Sequence, residues 1–267
     1  MSLLEVRDLS IAFGGLKAVD GLSFDVAEGE VFTLVGPNGA GKSTIFNMIS
    51  RFYEPTEGKI FFDGEEITHL PAHKIAELGI ARTFQNIELF DHSTVLSNLL
   101  MGRHVHRKTQ VIQDLLFTRK ARADERSHRR RVEEVITFLE LEAHRDSLIA
   151  GLPYGVRKVV EIGRALAIGP KLLLLDEPAS GLSVEETRDV AFWIEDMKRE
   201  MGLTILMIEH DMGLVSAVSD RVLAVADGKF LAQGTASEVQ SHPDVIEAYL
   251  GTGVNGEPEL KKEEAGA

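Results

Sequence analysis

Apolar and polar positions change rhythm along this chain. Between residues 3 and 35 they alternate in short runs: Leu4-Glu5-Val6 and Leu22-Ser23-Phe24-Asp25-Val26 put every second side chain on one face, with a break at Gly14-Gly15. Period two marks a half-buried strand. Val31-Phe32-Thr33-Leu34-Val35 is a compact apolar run, and Lys59-Ile60-Phe61-Phe62 is a further strand signal that stops at Asp63-Gly64, a dipeptide suited to a tight turn. With a helical pattern starting after Gly41, the first part reads as a mixed sheet feeding a helix. From Val95 to about Leu141 helix formers take over, and Val132, Val135, Ile136 and Leu139 fall at i, i+3, i+4, i+7, the spacing of one buried helix face. Beyond Val156 the two patterns alternate: a helix to about 168, a strand over 172–175, a helix over 184–200, and strands over 203–208 and 221–226. Strands separated by helices of that length imply a parallel sheet with right-handed crossovers. There is no internal repeat.

Composition narrows the classes. The 267 residues, 44% hydrophobic, suffice for one large domain or two modest ones with a real core. No apolar run approaches the ~20 residues of a membrane-spanning helix. The opening Met1-Ser2-Leu3-Leu4-Glu5-Val6-Arg7-Asp8 lacks a basic start and an apolar stretch, so neither a bilayer span nor a secretion signal is expected. The absence of cysteine excludes disulfides and thiolate metal sites and is compatible with a reducing cytoplasm. A net charge of −13 argues against nucleic-acid affinity as a property of the whole surface. Residues 103–131 run the other way, with ten Lys and Arg against three acids. That stretch suits an anionic lipid surface or nucleic acid, or it is the solvated face of the helix whose core stripe starts at Val132; without interleaved aromatics for base stacking, the solvated face is favoured. The tail after Gly251, rich in Gly, Glu and Lys, is expected to be mobile.

The chemistry enters at Gly36-Pro37-Asn38-Gly39-Ala40-Gly41-Lys42-Ser43-Thr44, which fits G-x-x-x-x-G-K-[ST] and lies between an apolar strand and a helical pattern. Glycines let the backbone curl so that successive N–H groups face phosphate oxygens, and the following helix adds its positive end. Lys42 then neutralises the β and γ phosphates and the Ser43 hydroxyl is a ligand for Mg²⁺. Such a site needs acids as well. Leu172-Leu173-Leu174-Leu175-Asp176-Glu177 supplies them, a buried strand ending in two carboxylates at the edge where α/β sheets bind ligands. Asp176 orients the Mg²⁺ shell and Glu177 polarises the attacking water.

These residues resemble an ATP-binding subunit of an ABC transporter, over nearly the whole chain. Thr83-Phe84-Gln85-Asn86 is similar to the family's Q-loop, Ser180-Gly181-Leu182-Ser183 to its D-loop, and Ile208-Glu209-His210-Asp211 to its switch-histidine segment. The resemblance implies that Gln85 senses Mg²⁺ and the attacking water, that His210 contacts the γ-phosphate, and that Phe13 stacks on adenine. The family's Leu-Ser-Gly-Gly-Gln signature stands here as Leu152-Pro153-Tyr154-Gly155-Val156. Without the serine hydroxyl, the Gly155 N–H and the positive end of a helix starting near Val156 are left to hold the γ-phosphate of an opposite subunit. The altered signature, the long basic insert and the ending Gln233-Gly234-Thr235 to Ala248-Tyr249-Leu250-Gly251 resemble the subgroup that energises branched-chain amino acid uptake.

The resemblance implies an α/β P-loop NTPase fold, a RecA-like core with a mixed sheet at 1–87 and 166–250, and an inserted α-helical subdomain at 88–165. It implies ATP and Mg²⁺ as ligands and a second ATP-binding subunit, two permease subunits and, indirectly, a periplasmic binding protein as partners. The protein would sit peripherally on the cytoplasmic face of the inner membrane, with no nucleic acid expected. Two other readings stay open. A nucleic-acid or ribosome-associated ATPase would suit the basic stretch, but one cassette and no sustained heptads count against it. A binding-only regulatory module would suit Pro153, against which stand Lys42, Asp176, Glu177 and His210. A small-molecule kinase is disfavoured, since no acceptor-binding lid is evident.

Overall fold

The computed structural model describes residues 1–83, 87–106 and 119–251. Its strands are β1 (Ser2–Phe13), β2 (Leu16–Ala27), β3 (Val31–Val35), β4 (Glu57–Phe62), β5 (Glu65–Glu66), β6 (Ile80–Arg82), β7 (Leu172–Asp176), β8 (Thr204–Ile208), β9 (Arg221–Ala226) and β10 (Lys229–Gly234). They form two sheets. One is antiparallel, in the order β2-β1-β4-β5; the other runs β10-β9-β3-β8-β7-β6, parallel throughout except for β10 at its edge. The mixed sheet expected of the first part therefore divides. β1, β2 and β4 expose one face and pair among themselves, whereas all five residues of β3 are buried, as befits a central parallel strand.

The helices are α1 (Lys42–Ile49), α2 (Ala72–Leu78), α3 (Val95–Gly102), α4 (Arg119–Phe138), α5 (Tyr154–Ala167), α6 (Val184–Met201), α7 (Met212–Val218), α8 (Ala236–Gln240) and α9 (Pro243–Gly251). Their ends follow local chemistry. The Thr94 hydroxyl accepts from the Ser97 N–H to start α3, Ser183 and Glu186 form a capping box on α6, and Asp211 accepts from Gly213 and Leu214 to start α7. Among the described residues, no helix is long and apolar enough to cross a membrane.

Alternation along the parallel strands feeds two large cores, beside a smaller one where Val35, Val222 and Ala224 meet α7, α8 and α9. Phe32, Leu34, Leu172 and Leu174 join β1, β4 and Ile45, Phe46 and Ile49 of α1 in an apolar layer between the sheets. Leu173 and Leu175 point the other way, into a layer with α3, α5, α6 and the α4 stripe Val132, Val135, Ile136 and Leu139. The stripe is buried, as its spacing predicts. The helices between β6 and β7 thus share a core with one face of the sheet. Strands β3, β8 and β7 are consecutive neighbours, so the segments that follow them emerge side by side at one edge.

Candidate functional site

The loop after β3 is shaped by close approach. A side chain at Gly36 would collide with the Val225 carbonyl of β9, and one at Gly41, where φ is 95°, with the Ala18 carbonyl of β2. Glycine is needed at both. The Gly228 N–H also donates to the Ala40 carbonyl at 3.1 Å, fastening the loop from a third side. Gly36 and Ala40 are buried, Pro37 is half-buried, and Asn38 and Gly39 are exposed at the crown. Gly41 precedes α1 without a side-chain cap, so the helix's first amides are not taken by its cap residue. Lys42 folds back across the loop: Nζ donates to the Gly36 carbonyl at 2.6 Å and to the Pro37 carbonyl at 2.9 Å. Burial lowers the pKa of its ammonium, against the pull of Glu177 and Asp176. Ser43 is exposed and Thr44 half-buried on the same turn.

Asp176 ends β7 with its carboxylate buried. Oδ2 accepts from Arg82 Nη2 at 2.9 Å, while Oδ1, also buried, has no hydrogen-bond partner among the described residues. Burial raises its pKa, opposed by Arg82. The same guanidinium donates from Nη1 to Asn47 Oδ1 at 2.7 Å and Ser50 Oγ at 3.0 Å, so Arg82 on β6 ties the end of β7 to the helix of the phosphate loop. Nothing in the sequence singled out Arg82 beyond a charge in the short run Ile80-Ala81-Arg82.

Glu177 takes a left-handed backbone, φ 49°, which non-glycine residues rarely adopt and which costs ~1–3 kcal/mol. The turn redirects the chain from β7. Its N–H donates to the Ile208 carbonyl at 2.9 Å, and its carbonyl accepts from the Ser180 N–H at 3.2 Å and from Lys158 Nζ at 3.0 Å. The segment after β8 contributes Glu209, a buried carboxylate to which the sequence assigned no role of its own. Oε1 accepts from Ala179 N–H at 3.0 Å and Oε2 from the N–H groups of His210 and Asp211 at 2.7 and 3.0 Å. His210 is thereby placed by its backbone, with its imidazole mostly exposed. Lys42, Asp176, Glu177 and His210 therefore sit on adjoining segments of one sheet edge.

The remaining predicted residues are placed as follows. Phe13 ends β1, half exposed, edge-on to Tyr53 with ring centroids 5.3 Å apart. Gln85 lies outside the described residues, as does the tail from 252 onward. Gly155 lies within the first turn of α5, which begins at Tyr154 rather than near Val156. Pro153 sits at the helix cap: its carbonyl accepts from the Arg157 N–H at 3.1 Å, and the N–H it lacks is one that no helical bond would use. Gly155 is packed so closely on the Glu186 carboxylate of α6 that a Cβ would collide with it. Tyr154 donates from its hydroxyl to the Ser180 carbonyl at 3.3 Å, and its ring lies against Gly181.

Comparison with known proteins agrees with this geometry. Residues 19–180 match the ABC transporter family, and residues 231–255 match the branched-chain amino acid ATP-binding cassette transporter family. The high-affinity branched-chain amino acid transport ATP-binding protein BraF of Pseudomonas aeruginosa is 43% identical, over 93% of this chain and 98% of that protein. LivG of Escherichia coli K12, named for the same transport, is 40% identical with the same coverage. A crystal structure of a nucleotide-free ATP-binding cassette from an ABC transporter superposes with a TM-score of 0.81 at 32% identity, covering 93% of this chain and 99% of that one. Likeness of this extent, with the phosphate loop inside the first matched region, establishes that the chain belongs to the ABC transporter family as an ATP-binding cassette with the P-loop NTPase fold and ATPase activity.

Proposed function

We propose that this chain is the ATP-hydrolysing subunit of an importer for branched-chain amino acids or a related small organic solute. The observation that carries the catalytic part is the neighbourhood of Lys42 and the Asp176-Glu177 pair at one sheet edge. The cargo is supported by the likeness to BraF and LivG and by the match at residues 231–255.

In this reading the first amides of α1 and the N–H groups of Asn38, Gly39 and Gly41 bind the phosphates, and Lys42 exchanges its loop carbonyls for β and γ oxygens. Phe13 offers a partly exposed ring for adenine. The Glu177 carboxylate takes a proton from water as the water oxygen attacks the γ-phosphorus. The bond from that phosphorus to the bridging oxygen breaks, and ADP and phosphate leave. His210 holds the γ-phosphate, and Gln85 is assigned to the water and metal by resemblance. The residues present fit Mg²⁺: Asp176 Oδ1 is a buried carboxylate oxygen with no hydrogen-bond partner among the described residues and Ser43 an exposed hydroxyl on the loop helix, both hard oxygen donors. These two would hold the ion, which when bound offsets phosphate charge.

A second ATP-binding subunit would present its signature segment to this nucleotide, while the Gly155 turn of this chain serves the other. Permease subunits would dock beside the exposed rings of Phe52, which faces Arg82, and Phe90. A periplasmic binding protein would deliver the cargo, and this subunit would sit on the cytoplasmic face of the inner membrane. The core at 1–87 and 166–250 and the helical subdomain at 88–165 would be the parts that move. The test is reconstitution with co-purified permease subunits and binding protein in vesicles. ATP-dependent uptake of labelled leucine, abolished by Lys42→Ala, is expected. ATP hydrolysis that no branched-chain amino acid stimulates, in a complex that carries none, would overturn the cargo.

A further inference from the structure

Lys158 is a buried charge with no part in the chemistry above. It sits little more than one turn into α5, and only 2% of it is exposed. Lysines are almost never buried so completely unless their charge is answered. Burial does lower the pKa of its ammonium, and the carboxylates of Glu161, Glu177, Glu209 and Asp176 pull it back. Three of those four belong to the ends of β7 and β8, so the cation faces the catalytic edge rather than solvent. Its hydrogen bond goes to a main-chain atom, the carbonyl of Glu177.

That atom belongs to the residue with the strained backbone. A left-handed conformation at a non-glycine residue persists where surrounding bonds over-determine it. Two such bonds come from the core itself, through the Ile208 carbonyl and the Ser180 N–H. Another comes from the helix that starts at the signature segment. Loss of that bond would loosen the turn that carries the Glu177 side chain.

We propose that Lys158 is a positioning residue for Glu177, holding the base in its working orientation from the signature helix; this rests on the assignment of Glu177 as the base. Lys158 touches neither water nor phosphate in this role. It acts through the Glu177 carbonyl, so it governs the rate of the chemical step and leaves nucleotide binding to the phosphate loop.

The purified full chain provides the test, with ATP affinity, turnover and melting temperature measured for each variant. Lys158→Met keeps the stem and removes the donor. Turnover is expected to fall ~10- to 100-fold, the size of effect that slight misplacement of a reacting group produces, with ATP affinity within about twofold of wild type. Lys158→Arg, which restores a charged donor, should recover most of the loss. In a Glu177→Gln background Lys158→Met should cause no further loss. Wild-type turnover in Lys158→Met, or parallel loss of affinity and turnover, would overturn the proposal. If Lys158→Met does not fold, the ratio of Lys158→Arg to Lys158→Gln turnover replaces it, expected well above one; equality overturns the positioning role. Normal turnover by Glu177→Gln alone would instead remove Glu177 as the base, a separate failure.

Discussion

The phosphate half of the site and the signature half are built by different means. In the phosphate half, Lys42, Glu177 and His210 follow three neighbouring parallel strands, and glycines pressed against the Val225 and Ala18 carbonyls shape the loop between them. Backbone geometry places the groups. In the signature half, the start of α5 is located by side chains: Tyr154 on Ser180, Gly155 against Glu186, and Lys158 on Glu177. The first half has little freedom in sequence because sheet and close approach dictate it. The second tolerates a proline and a tyrosine because its contacts, rather than its main-chain curvature, hold it in place.

The largest effect should come from the base. Glu177→Gln keeps size and the strained turn but removes the proton acceptor, so turnover should fall ~10²- to 10⁴-fold with ATP affinity unchanged. Single-turnover hydrolysis beside a binding titration checks this. Comparable losses in both would show that the side chain supports the loop rather than the reaction.

Lys42→Ala should be next, and it should strike binding. The ammonium satisfies the Gly36 and Pro37 carbonyls in the structure and would serve phosphate in its place. A charge-assisted bond is worth about 1.5–3 kcal/mol, so ATP affinity should drop by about 10- to 100-fold, with turnover following. Unchanged affinity in an equilibrium titration would mean that the nucleotide sits elsewhere. The split between these two variants separates the chemistry at the end of β7 from the cradle after β3.

How much of this was legible in the sequence follows the same division. Val31 to Val35 and Leu172 to Leu175 were readable because compact runs, apolar but for Thr33, have one use beside a phosphate motif, and the structure buries all of them. The α4 stripe was readable from its period. The short elements β5, β6, α2, α7 and α8 were not, since two to seven residues do not establish a rhythm. Arg82 and Lys158 escaped for another reason. Each acts on a partner far along the chain, Arg82 on Asp176 across 94 residues and Lys158 on Glu177 across 19, and no local pattern announces such a pair. Glu209 was in view only as part of the histidine segment, its three backbone partners being a matter of folding.

Gly155 probes the signature half. Gly155→Ala forces the Glu186 carboxylate aside and with it the bond Glu186 makes to the Ser183 N–H at 2.8 Å, so the start of α6 should loosen and the melting temperature fall. Gly155→Asp adds a second carboxylate at the same point. ATP affinity of the isolated chain should stay within about twofold, while turnover falls ~10-fold or more as the helix start shifts. A double-mutant cycle sharpens the result: with Glu186→Ala present, Gly155→Ala should cost little, because the colliding group is gone. Full additivity would mean that Gly155 is held by something other than Glu186.

The smallest effect is expected from the basic face of α4. Arg129 pairs with Glu125 at 2.8 Å and Arg131 with Glu134 at 3.1 Å, all four partly exposed, on the helix whose other side carries the buried stripe. Surface pairs of this kind are worth about 0.2–1 kcal/mol. Reversing Arg129, Arg130 and Arg131 to glutamate turns both pairs into like-charge neighbours, a modest destabilisation that the core stripe should outweigh. The helix packs on α3 and α5 through its apolar stripe, which leaves the paired arginines on the exposed side, and exposed charges are screened over a Debye length of ~8 Å at physiological salt. ATP turnover and affinity of the isolated chain should therefore remain within about twofold, a range of ~0.4 kcal/mol. Sedimentation with anionic vesicles then separates the two readings of the basic stretch: binding lost on reversal assigns it to a lipid surface, and binding absent in both proteins leaves a solvated helix face. Loss of turnover in a triple variant that melts like wild type would place α4 in electrostatic reach of the phosphate half, and the division between the two halves would no longer hold.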